Sequence, residues 1–219
     1  MKYSPFLAAT LCLAGTSSNA EDYYLSFGAV GKPLLTQEFG GFNTAGGFSN
    51  FDKQNSSFAG GYVSLGRNDV VSIGKYAVSV EFDVSASSTD AVSASFPGLP
   101  SPTFFYTTDI ESQRLGVNAW TSVISTELSS LELGAGVGAQ RFDITTSDGV
   151  VSGAGDDVVP YAMVGARVLT PLGSYGGLEA GARYYVSGEA DIPLDNGASG
   201  NFTYQQRGFE FRLGWQIGL

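Results

Sequence analysis

Glu81 and Asp83 stand two residues apart, a spacing that places both carboxylates on one side of an extended chain. A carboxylate pair is the minimal equipment for glycoside hydrolysis. Arginines occupy comparable settings at Arg114, Arg167, Arg183 and Arg212, and further acids stand at Glu132, Glu179 and Glu210. Mutual Arg–carboxylate pairing is therefore the expected role of Glu81 and Asp83, in place of catalysis. The chain has no histidine, which removes Ser-His-Asp catalysis and imidazole metal sites. Asp148, Asp156 and Asp157 fit no calcium-loop spacing and read as solvated loop charge. No Gly-rich stretch precedes a helix, so a phosphate loop is not credible. No catalytic residue, no metal site and no cofactor is expected.

The elements that carry these charges are strands. From Phe209 every second residue is large and apolar (Phe209, Phe211, Leu213, Trp215, Ile217, Leu219), alternating with Glu210, Arg212, Gly214, Gln216 and Gly218. The same alternation recurs in Tyr76–Ser87, Ile110–Val123, Leu131–Ala139, Asp157–Leu169 and Leu178–Val186, and more weakly in Asp22–Gly31 and Ser57–Gly66. That makes eight strand candidates, with Pro160 placed near the start of its strand. Residues 32–56, 88–109, 143–156 and 190–203 read as long loops, with shorter links at 67–75, 125–130 and 170–176. Long and short connections thus alternate, which puts every long loop at one end.

Each charged position lies opposite the apolar face of its strand. Two solvents compete for the apolar face: a protein core, as in a soluble sandwich or barrel, or lipid. Eight strands near the 9 to 11 residues that cross a bilayer, with loops of unequal length at the two ends, favour lipid. An Arg facing lipid at the midplane costs about 2 to 4 kcal/mol, and an inward position avoids that cost. The nine inward charges, five acids and four arginines, are then expected to form an ion-pair network in the lumen. Inward glycines (Gly134, Gly136, Gly138, Gly165, Gly181, Gly214) imply crowding there. Tyr23, Tyr76 and Trp215 suit an interfacial aromatic girdle.

Residues 1–20 read as a signal peptide: Lys2, an apolar stretch from Pro5 to Ala14, and Ser18-Asn19-Ala20 for cleavage. The one cysteine, Cys12, lies within it, so the domain at 21–219 has neither disulfides nor thiolate metal sites. The 11 basic and 21 acidic residues give a net charge of −10, and loss of Lys2 makes it −11, unsuited to nucleic acid.

The Tyr-Tyr-Leu-Ser-Phe-Gly opening, the Gly-Ala-Gly-Val-Gly and Pro-Tyr-Ala-Met-Val-Gly-Ala segments and the Phe-Glu-Phe-Arg-Leu-Gly-Trp-Gln-Ile-Gly-Leu ending resemble small bacterial outer-membrane β-barrel proteins, above all the eight-stranded OmpA-like transmembrane domain. The resemblance implies an all-β, antiparallel up-and-down barrel with four longer extracellular loops, exported to the Gram-negative outer membrane. No peptidoglycan-binding domain is expected after the barrel, so the resemblance does not imply wall tethering. The implied partners are outer-membrane lipid and lipopolysaccharide, the barrel-assembly machinery, and host or cell surfaces met through the loop aromatics Phe42, Phe48, Phe51 and Phe104 to Tyr106. The alternating set Phe211, Leu213, Trp215, Ile217 and Leu219 matches the family's assembly signal, with Leu219 where an aromatic residue is usual. Barrel enzymes of this membrane rely on a histidine, so the resemblance implies a structural or surface-interaction role. A narrow pore or solute carrier, and a soluble periplasmic ligand-binding barrel, are the alternatives.

Overall fold

The computed structural model describes residues 22–43, 52–88, 92–97, 103–149, 151–194 and 200–219. The expected signal peptide and the aromatics Phe48 and Phe51 lie outside the described residues. Among the described residues there are ten strands: β1 (Tyr23–Asn43), β2 (Asp52–Ile73), β3 (Tyr76–Ser88), β4 (Val92–Pro97), β5 (Thr103–Ser125), β6 (Ser130–Ser147), β7 (Ser152–Pro171), β8 (Gly177–Ser187), β9 (Ala190–Leu194) and β10 (Gly200–Gly218). Eight of them form an antiparallel ring in the order β1-β2-β3-β5-β6-β7-β8-β10, closed by pairing of β1 with β10. The two short strands lie off the ring, β4 on β5 and β9 on β10. Paired residues followed round the ring from Tyr24 pass through Gly66, Glu81, Asn118, Gly136, Met163, Tyr185 and Gly208, and return to β1 at Leu35. Discounting a bulge between Gly31 and Leu34, the stagger is about ten residues, that of a ring tilted by roughly 40°.

The eight strands and their closure follow the sequence pattern, but the lengths do not. Residues 32–56, expected as a loop, instead continue β1 to Asn43 and start β2 at Asp52. Residues 88–109 contain β4 and the start of β5; 143–156 carry β6 to Ser147 and β7 from Ser152; 190–203 contain β9 and the start of β10. Link 67–75 is mostly strand, with a tight turn at Gly74-Lys75. Pro33 falls within the β1 bulge, where a missing donor is tolerated. Pro160 sits mid-strand in β7, not near its start. It is tolerated because β8 stops at Ser187, opposite Tyr161, so β7 has no β8 partner at Pro160.

The outer surface carries an apolar belt on all eight strands. Phe27, Val63, Phe82, Val117, Val137, Val164, Tyr184 and Leu213, one from each, are more than a third exposed. Along β6 the belt covers Leu131 to Ala139 and then gives way to Arg141 and Asp143. Nine tilted residues make a band near the 25 Å of a transmembrane barrel. Among the described residues no helix is long and apolar enough to cross a membrane.

Candidate functional site

Side chains fill the interior in two layers. In the belt zone, strand alternation sends Glu81 and Asp83 of β3, Arg114 of β5, Glu132 of β6, Arg167 of β7, Glu179 and Arg183 of β8, and Glu210 and Arg212 of β10 inward. Eight of these are at most 5% exposed, and the Glu132 side chain is 13% exposed. Ion pairs join all nine. Glu132 meets Arg167 at 2.7 Å, and Arg167 meets Glu81 at 2.6 Å. Glu81 and Asp83 share Arg183 at 3.3 and 3.8 Å. Arg212 grips Asp83 through both carboxylate oxygens, one at 2.9 Å, and reaches Glu210 at 2.6 Å. Glu210 in turn pairs with Arg114. Glu179 is the loosest member, 3.7 Å from Arg167 with no hydrogen bond on its Oε2.

Each arginine also lies over an aromatic ring: Arg212 over Tyr62 at 4.4 Å, Arg114 over Tyr185 at 4.8 Å, and Arg167 and Arg183 over Trp120 at 4.5 and 5.0 Å. Such contacts strengthen when desolvated. The inward glycines make room for these rings. A Cβ on Gly134 would come within 2.3 Å of Trp120, and one on Gly214 within 2.1 Å of the Tyr62 hydroxyl. Any larger residue there displaces a ring that caps a guanidinium.

Above the belt the strands keep their alternation and exchange its polarity. β6 turns Phe142 and Ile144 inward, and β5 turns in Ile110 and Tyr106. Leu35, Phe39, Phe58, Ile192, Phe202 and Tyr204 join them in one buried cluster. Phe142 meets Tyr204 edge-on at 5.0 Å, and Phe39 lies 5.3 Å from the same ring. Outside, Glu111, Arg141, Asp143 and Asp156 face water. A seam of amides and hydroxyls divides the layers: Gln140 and Tyr185 donate to Gln206, Gln206 donates to the Tyr204 hydroxyl, and Tyr204 donates to Gln37. Tyr106, expected as an exposed loop aromatic, is instead 7% exposed within the upper cluster, because inward positions above the belt are the apolar ones. The side chains of Phe42, Phe104 and Phe105 lie outside the described residues.

No family model matches the sequence, and no curated protein matches it. Solved structures do. The outer membrane protein OprG from Pseudomonas aeruginosa is 9% identical, with a TM-score of 0.52, over 91% of this chain and 97% of that one. Neisserial surface protein A is 15% identical, with a TM-score of 0.48, over 90% and 97%. The outer membrane protease OmpT from Escherichia coli is 7% identical, with a TM-score of 0.48, over 94% and 99%. The chain has the fold of a small outer-membrane β-barrel.

Within that barrel, Asp148, Asp156 and Asp157 are separately engaged. Asp148 accepts from the Val151 amide, Asp156 pairs with Arg141 at 3.1 Å, and Asp157 accepts from the Asp191 amide. Among the described residues no group of three or more His, Cys, Asp or Glu is placed to hold a metal. Phe211, Leu213 and Ile217 face outward on β10, beside half-buried Trp215, and exposed Leu219 follows the strand, its amide donating to the Tyr23 carbonyl of β1. At the short-turn end Tyr76 is exposed, and Trp215 donates to the carbonyl of Tyr175, a further exposed aromatic. Sequence reasoning missed Lys32, which is 1% exposed inside the barrel and donates to Ser87 at 2.9 Å. Its signal was parity: Lys32 continues the inward series Tyr24, Ser26, Gly28 and Val30.

Proposed function

We propose that this protein is an integral outer-membrane barrel with a closed lumen, exported by its N-terminal signal and serving as a structural module that carries a charged rim on the cell surface. The reading rests on one observation above all, the filling of the lumen by two successive layers. A nine-member ion-pair network lies in the belt zone and a packed apolar cluster lies above it. Eight-stranded barrels have interiors just wide enough for side chains. Opening a path here would require breaking desolvated ion pairs and parting an apolar core. Lipid and lipopolysaccharide would contact the belt, the barrel-assembly machinery would read Phe211 to Leu219, and surface partners would meet the rim. No catalytic step is assigned to Glu81 or Asp83, since arginines engage both. Refolded protein in a planar bilayer should give no stable conductance steps. Reproducible single-channel steps would overturn the closed-lumen reading in favour of a narrow pore.

A further inference from the structure

Above the belt, the joint between β7 and β9 is closed without a ladder. β8 pairs with β7 as far as Ser187 opposite Tyr161, and the Gly188 amide then donates to the Pro160 carbonyl at 2.7 Å. The chain resumes as β9, which pairs with β10 through five residues, from Ala190 opposite Tyr204 to Leu194 opposite Gly200. β7 meanwhile continues along β6 to Ser152 with no shift of register. Among the described residues no ladder joins β9 to β7, although the two strands lie side by side. What holds β9 to the wall there is packing and the side chain of one acid.

β9 lies against the inner side of β7. The inward parity of β7 runs through Val159, Asp157, Gly155 and Gly153, and the two glycines leave room for the strand. A Cβ on Gly155 would stand 3.4 Å from the Ile192 side chain, and one on Gly153 would stand 2.9 Å from the Pro193 carbonyl oxygen. The Asp157 carboxylate turns to the joint, where Oδ2 accepts the Asp191 amide at 3.0 Å and Oδ1 accepts the Val158 amide at 2.7 Å. It is a polar latch between strands that share no ladder. Ala190 and Ile192 are buried in the upper cluster and Leu194 packs against it, while Asp191 and Pro193 are exposed on the other face. Burial of that apolar face is therefore the main force that holds β9 shut.

We propose that β9 is a strap that opens and closes over the upper apolar layer, turning on its ladder with β10 and latched by Asp157. Closed, it completes the layer and keeps it dry. Open, it withdraws Ala190 and Ile192 and gives the rim a reversible apolar surface beside Phe142 and Phe202. A strand without a ladder on one side, set over glycines, belongs to the low-stability end of the structure. The ionic layer below is closed by ladders on every side, so it stays shut while the strap moves and the lumen remains sealed. The inference needs only the closed ring and its upper layer, and it stands or falls independently of whether the belt faces lipid.

Thiol reactivity reads the motion, in the full chain carrying Cys12→Ser, folded in micelles and treated with methyl methanethiosulfonate. Ala190→Cys and Ile192→Cys should each react about a hundredfold or more faster than Ser64→Cys, which is as deeply buried but lies in the ionic layer and is reached only by wider unfolding. Asp157→Ala removes the latch and should speed the reaction at both β9 thiols about tenfold, the scale of a hydrogen bond to a charged group. Asp157→Asn keeps an acceptor oxygen and should recover much of that difference. Gly155→Val presses on Ile192 from the inner side of β7 and should speed the reaction of Ala190→Cys as well. None of these changes should alter the rate at Ser64→Cys. β9 thiols that react no faster than Ser64→Cys overturn the strap, as does a rate unchanged by Asp157→Ala or by Gly155→Val. Equal acceleration at Ser64→Cys also overturns it, because the whole barrel would then be loosening. Should Ile192→Cys not fold, Ala190→Cys decides alone.

Discussion

Arg212→Ala tests whether the lumen is held by dry ion pairs. Arg212 makes two hydrogen bonds to Asp83 and one to Glu210, and its guanidinium covers Tyr62. Its removal leaves Glu210 with Arg114, but leaves Asp83 with only Arg183 at 3.8 Å, a distance that makes no hydrogen bond. Asp83 is 1% exposed, so water cannot replace the lost partner without opening the barrel. Truncating one side of a buried pair costs about 3–5 kcal/mol, most of it from the charge left behind. The internal control is Arg141→Ala. Arg141 pairs with Asp156 at 3.1 Å, but the two side chains are 33% and 52% exposed, and such pairs contribute about 0–1 kcal/mol. Urea unfolding of both variants in the same micelles can be followed by the emission of Trp120, which lies between Arg167 and Arg183. Adding Asp83→Asn to Arg212→Ala should recover part of the loss, because it removes the orphaned charge. If Arg212→Ala falls within about 0.5 kcal/mol of Arg141→Ala, the network is hydrated and the argument from burial fails.

Three further substitutions examine the layers separately. Val137→Arg puts a charge on a belt position that is 64% exposed and, if the belt faces lipid, should cost about 2–4 kcal/mol in vesicles, whereas Asp143→Arg on the same face of β6 above the belt should be nearly neutral; equal effects would remove the belt assignment. Phe142→Ala empties part of the upper cluster and should cost about 3–5 kcal/mol, with hydrogen-exchange protection lost from residues 142–147 and 200–206 but kept at 131–139. Uniform loss of protection along β6 would show that the two layers are not independent.

The ring, its closure and the inward set were legible in the sequence for one reason. In the belt, alternation has period two and a single polarity, so Leu131, Leu133, Ala135, Val137 and Ala139 separate cleanly from Glu132 and the glycines between them. Past Gln140 the same strand places Phe142 and Ile144 on the inward parity and Arg141 and Asp143 on the outward one. A search for one continuing apolar face ends there and reports a loop. The period survives and only its sign changes, which β5 repeats between Gln113 and Ile110, and β10 between Phe209 and Tyr204. The bulge after Gly31 hid β1 more thoroughly, because it shifts the inward parity from Lys32 to Leu35, Gln37 and Phe39. Pairwise geometry was beyond reach: residue types indicated that Arg212 would meet a carboxylate, but only the closed ring brings it to Asp83 as well as to Glu210.

The change of sign has a physical cause. Within the bilayer, moving an apolar side chain from lipid to lumen gains no hydrophobic free energy, because lipid tails are as apolar as the core they would leave. Stability of the interior there must come from hydrogen bonds, ion pairs and close packing, which is what the arginines, carboxylates and rings supply. Above the bilayer the outer face meets water, and burial of apolar surface again drives folding. The upper strands accordingly follow the rule of a soluble barrel, with Phe39, Phe142 and Phe202 inside and charges outside. On the membrane reading, the crossover lies where the outer solvent changes, at Arg141 and Asp156 outside and at Gln140, Gln206 and Gln37 inside. Lys32 lies at this seam, bonded to Ser87 below and set against Phe58 of the apolar layer above. A cation in the middle of the ionic layer would be neutralised by neighbours, and one in the apolar layer would be too costly to keep. At the boundary the Lys32 amino group instead donates to the Ser87 hydroxyl and faces the Phe58 and Tyr185 rings.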